Sequence, residues 1–73
     1  MKIVMIYTFL LASGQTLDAV RPAVDPAGYR PVRTVQRCEE LAMEQEERMR
    51  AVFANGNGMF QDVTIQCRRG DRP

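Results

Sequence analysis

Cys38 and Cys67 are the residues best equipped for chemistry in this 73-residue chain. A thiol can serve as a nucleophile, a metal ligand or half of a disulfide, and its neighbours decide which. The chain has no His and no Cys-x-x-Cys pair, so the usual base for making a thiolate and the usual partners for a zinc ion are both missing. A bridge between Cys38 and Cys67 is the expectation, with a pair of buried thiols as the alternative, since a bridge needs a Cα separation of about 4.4–6.8 Å.

Clustered carboxylates are the second candidate: Glu39, Glu40, Glu44, Glu46 and Glu47 crowd one stretch. Arg48 and Arg50 are interleaved and no His joins them, so the pattern reads as a solvated helix face rather than a metal or acid–base site. The glycine-rich "NGNG" at 55–58 follows a helix pattern instead of opening one and lacks a Lys-Ser or Lys-Thr, so it reads as a connector. Near the end, Arg69-Gly70-Asp71 is too short a pattern to weigh as a receptor motif, and 69–73 reads as a charged, frayed tail. These residues nominate no catalytic group, metal site or cofactor. The chain reads as a non-enzyme.

Ten Lys and Arg against nine Asp and Glu leave a net charge of +1. That balance gives no field strong enough to argue for nucleic acid or an acidic membrane surface, and neither is predicted as a partner. Arg68, Arg69 and Arg72 lack interleaved aromatics and do not change it. A chain this short is one domain with a marginal core, of the kind that staples or partners commonly support.

The elements follow from local pattern. "MKIVMIYTFLLASGQTL" is too short in its apolar run to span a bilayer. Its β-branched and aromatic residues predict a strand, then a turn at Gly14 and a second strand, giving a hairpin over 1–20. An export signal over 1–14, with Ala12-Ser13-Gly14 before the cut, is the alternative and implies a periplasmic or secreted product. Pro22, Pro26 and Pro31 predict an irregular connector over 21–33, with the Tyr29 ring packed at the core edge.

A helix is predicted over 34–55, with Thr34 as N-cap and Asn55-Gly56 as stop. Its apolar stripe is Val35, Cys38, Leu41, Ala42, Gln45, Met49, Val52 and Phe53. Acidic Glu39 and Glu40 are expected in the first turns and Arg48 and Arg50 in the last, with Glu44–Arg48 and Glu46–Arg50 pairs. The last strand is expected over 59–68, with Met59, Gln61, Val63, Ile65 and Cys67 on one face and Phe60, Asp62, Thr64, Gln66 and Arg68 on the other.

The fold class is α+β: a small ββαβ domain with a three-stranded sheet and one helix on one face. An antiparallel helix and last strand would bring Cys38 and Cys67 to the same end. On the first strand both faces are apolar, so Val4, Ile6 and Leu10 are left without a core of their own and are expected to meet another subunit or a larger assembly.

The apolar opening, Gly28-Tyr29-Arg30 before the helix, Thr34 then Cys38, and Cys67 before a charged end resemble short proteins encoded by tailed phages of marine and related bacteria. The Pro-rich connector departs from that pattern. The resemblance implies an accessory protein docked on a larger assembly such as the virion, in the virion or the host cytoplasm. A small inhibitor of a host enzyme or defence complex is the second reading.

Overall fold

Strand β1 (Ile3–Leu11) forms where nine consecutive residues are apolar, aromatic or β-branched, the types that suit a pleated surface packed on both sides. It lies at the centre of an antiparallel sheet ordered β2-β1-β5, between β2 (Thr16–Pro22) and β5 (Phe60–Arg69). The computed structural model describes residues 2–56 and 58–70. Asn57 of the "NGNG" loop and Asp71 of the Arg-Gly-Asp tripeptide, with the rest of 71–73, lie outside the described residues.

The β1–β2 turn works as its sequence suggests. Gly14 N–H bonds Leu11 C=O at 2.9 Å, Gly14 takes a φ of 92°, and Leu11 N–H closes on Gln15 C=O at 2.8 Å. A three-residue hairpin loop of this kind needs a residue at positive φ in its last position, which glycine supplies without strain.

Helix α1 (Val35–Ala54) begins where Thr34, extended at φ −129°, accepts the Arg37 N–H on its side chain at 3.1 Å. It stops at Asn55, where Gly56 turns to φ 83° and donates to Phe53 C=O at 2.9 Å. Neither terminal turn carries the expected charge: the first has no acid and the last no base. The carboxylates and guanidinia sit a turn further in, where the helix dipole acts weakly. Both expected pairs form, Arg48–Glu44 at 4.0 Å and Arg50–Glu46 at 3.7 Å.

Helix α1 packs chiefly on β5 and less on β1. Ile3, Met5, Cys38, Leu41, Ala42, Val63 and Ile65 are buried between the layers, flanked by Tyr7, Phe9, Val35, Met49, Phe53 and Cys67. Val52, assigned to the stripe by spacing, is 61% exposed. Gln45 is the stripe's polar member, and its Oε1 accepts the Tyr7 hydroxyl at 2.9 Å. Burial raises the Tyr7 pKa above its ordinary value, and the nearby Arg21 charge opposes that rise weakly.

The Pro-rich segment is more ordered than its prolines imply. Strand β2 continues to Pro22, and β3 (Val24–Asp25) pairs with β4 (Arg30–Pro31) in a small second sheet. Two-residue strands tolerate proline because they demand so few ladder bonds. Ala23 and Val32, at the foot of this hairpin, are joined by a 2.9 Å hydrogen bond from Val32 N–H to Ala23 C=O, and both enter the core. Asp25 fixes it to the helix: its carboxylate accepts Arg37 Nε at 3.0 Å and Nη2 at 3.2 Å, and Ala27 N–H at 3.0 Å. Tyr29, expected at the core edge, stands instead at the hairpin tip, 86% exposed at φ 56°.

Strict alternation also fails at the start of β5. The register runs Leu10↔Asp62 and then Leu11↔Phe60, which leaves Gln61 as the extra residue of a bulge. A bulge re-aims the residue before it. Phe60 therefore joins the helix side, with ring centroids 5.4 Å from both Phe9 and Phe53, while Met59 is 62% exposed. At the other end the strand includes Arg69.

Candidate functional site

Three features of this frame bear on function: a sheet face that no other described element covers, two unlike sheet edges, and a groove beside the helix. Directly paired residues of an antiparallel ladder share a face. On the side away from α1 the register sets Val4, Ile6, Thr8 and Leu10 of β1 between Pro22, Val20, Asp18 and Thr16 of β2 and Arg68, Gln66, Thr64 and Asp62 of β5. Val4, Ile6 and Leu10 thus lie together on the uncovered face, each half-buried by its neighbours. Gly70 crowds Val4 so closely that a Cβ there would stand 2.9 Å from the Val4 Cγ1. The apolar part of this face is Val4, Ile6 and Leu10, all half-buried, with the exposed Val20 of β2 beside Ile6.

The edges differ in how their outward groups are met. Ala23 N–H to Ile3 C=O at 3.0 Å and Leu11 N–H to Gln15 C=O at 2.8 Å fix the phase of the β1–β2 ladder, so that odd residues of β1 bond to β2. Even residues then bond to β5, as Gly70 N–H to Lys2 C=O at 2.7 Å shows. By the same alternation, Val63, Ile65 and Cys67 turn their main-chain groups outward on β5, and Thr16, Asp18, Val20 and Pro22 do so on β2. Pro22 has no N–H to donate and occupies an outward-facing position, as a strand proline must.

On β5 both outward groups of Val63 and the outward N–H of Ile65 are occupied. Glu46 Oε2 accepts Ile65 N–H at 2.7 Å, Arg50 Nη2 donates to Val63 C=O at 3.1 Å, and Asp62 Oδ1 accepts Val63 N–H at 2.8 Å. Arg50 Nε also bonds Asp62 Oδ1 at 2.7 Å, closing the set. That hydrogen bond holds the Asp62 carboxyl below its ordinary pKa, as the Arg37 bond does for Asp25, and both arginines are shifted up. Sequence pattern placed Glu46 on a solvated face. Nothing in helical spacing marks it as the acceptor for a strand amide, because that role depends on α1 overhanging β5.

Because α1 sits toward β5, the helix side of β2 is left open. A groove of about 310 Å³ runs there, lined by Tyr7, Phe9, Ala19, Arg21 and Met49. An adjoining hollow is lined by Met5, Arg21, Pro22, Val24, Gln45 and Arg48 among others.

Cys38 on α1 and Cys67 on β5 form a disulfide, with a Cα–Cα separation of 6.1 Å. It ties the first turns of the helix to the end of the strand, where antiparallel packing brings the two together. Among the described residues no three His, Cys, Asp or Glu side chains converge to hold a metal ion, and no helix is long and apolar enough to cross a membrane. No protein-family model matches the chain, and no curated protein and no solved structure matches it.

Proposed function

We propose that the protein is a non-catalytic binding module that docks through its uncovered sheet face onto a protein partner. The observation that carries this reading is the set of half-buried apolar residues Val4, Ile6 and Leu10, with exposed Val20 beside Ile6, on a face that no other described element covers. Uncovered apolar faces of this kind mark interaction surfaces. Polar side chains surround and divide these residues: Thr8, flanked by Asp18 and Thr64, lies between Ile6 and Leu10, while Gln66 and Arg68 border the β5 side. The resemblance to short tailed-phage proteins supplies a setting, an accessory on a larger assembly such as the virion.

Co-purification tests this. Tagged protein should travel with particles or with one host protein, and Ile6→Lys should abolish that association while leaving the far-UV spectrum unchanged. An Ile6→Lys variant that folds and associates as the parent does removes the reading.

A further inference from the structure

We propose that the outer edge of β2 accepts an extended segment of a partner protein as an added antiparallel strand, with an apolar side chain in the groove beside Ala19 and a carboxylate against Arg21. This rests on the protein-binding reading but uses main-chain groups and the helix side of β2 rather than the uncovered face.

The first argument is the contrast between edges. An exposed strand edge is a template for pairing, and folded proteins blunt it when they have no use for it. Here β5 is blunted by Glu46, Arg50 and Asp62 acting together, whereas β2 carries two large exposed apolar residues, Leu17 at 54% and Val20 at 63%. The outward N–H groups of Thr16, Asp18 and Val20 and the C=O groups of all four outward residues face the side where no strand lies among the described residues.

The second argument is what lies next to that edge. An added strand supplies affinity through its main chain and specificity through alternate side chains in pockets. Residues directly opposite on an antiparallel pair stand about 4.5–5.5 Å apart at Cβ. The residue facing Ala19 therefore meets the smallest side chain of β2 and can lean over it onto Phe9, Tyr7 and Met49. Two places away, the residue facing Arg21 meets a guanidinium that has no ion-pair partner among the described residues. A carboxylate there completes the pair, and a β-branched residue facing Val20 extends the apolar row of the other face.

These positions spell a probe in the antiparallel direction, acetyl-Thr-Glu-Val-Leu-Lys-Val-Thr-amide, whose Glu faces Arg21 and whose Leu faces Ala19. Titrated into ¹⁵N-labelled protein, it should bind below about 1 mM and move the Thr16, Asp18 and Val20 amides most. Arg21→Glu should weaken binding about tenfold or more, and a peptide with Lys in place of Glu should restore it. Val20→Pro removes one outward N–H without touching the β1 ladder and should end binding; should that variant fail to fold, the charge swap decides alone. Ile6→Lys should leave peptide binding intact, so loss of the face reading and loss of the edge proposal are separate results. No shift at about 1 mM, shifts confined to the uncovered face, or no recovery in the charge swap overturns the proposal. A wild-type dimer that Val20→Pro makes monomeric overturns it in favour of a second copy as the occupant.

Discussion

Glu46 reaches past the rim of the sheet to accept the main-chain N–H of Ile65, at 2.7 Å, on the side of β5 where no strand lies among the described residues. Its carboxylate does for the strand what a further ladder would do. Only 18% of the side chain is exposed, so water is a poor substitute for it.

Glu46→Ala should therefore leave a partly buried donor unmatched and lower stability by about 1–3 kcal/mol. Glu46→Gln keeps an acceptor in place and should recover most of that loss. Urea midpoints rank the three proteins, and faster hydrogen exchange at Ile65 in the alanine variant alone assigns the effect to this bond.

Asp25 and Asp62 have folded-state pKa values held below normal, chiefly by hydrogen bonds from Arg37 and Arg50 respectively. A depressed folded pKa means the unfolded chain takes up protons first. The stabilisation is thus complete above about pH 4, the ordinary carboxylate value, and is lost as pH falls from there through the folded values. Urea midpoints measured from pH 7 downward should drop below pH 4, and the Asp25→Asn, Asp62→Asn double variant should show a shallower drop.

Breaking the Cys38–Cys67 bridge frees a loop spanning 29 positions, which on the chain-entropy account lowers stability by about 3.5 kcal/mol. That is a large share of what a domain of this size possesses. Denaturation with and without reductant measures it, and a Cys38→Ala, Cys67→Ala variant insensitive to reductant should match the reduced parent.

Phe60→Ala should cost about 2–4 kcal/mol through lost contact with Phe9 and Phe53, while Met59→Ala stays within about 0.5 kcal/mol. Unbroken alternation along β5 predicts the opposite ranking. Thermal melts of the two variants distinguish the bulge from a regular strand.

The contrast between Phe60 and Val63 shows what sequence could and could not reveal. From Val63 onward each residue's face follows from alternation alone, and the helix from Thr34 to Asn55 follows from its cap, its stripe and its stop. The bulge at Gln61 is set by how β5 meets the β1 turn, a contact between distant positions that local pattern does not contain. Tyr29 departs for a related reason: its surroundings depend on Asp25 gripping Arg37, twelve positions away. The sequence-based candidates Val4, Ile6 and Leu10 do share one face, with Gly70 packed close against Val4. Arg21, Ala19 and the β2 rim, which carry the edge proposal, gave no signal beforehand because their availability comes from the sideways placement of α1.

The same sideways placement has a consequence for growth. A fibre needs a receptive rim at both ends of every unit, one to add to and one to offer. With Glu46, Arg50 and Asp62 occupying the Val63 groups and the Ile65 N–H of one rim, a strand joined at β2 would leave no equally open rim opposite it. On the proposed edge pairing the helix would act as a chain terminator, letting the molecule pair once along its sheet without becoming the seed of a polymer.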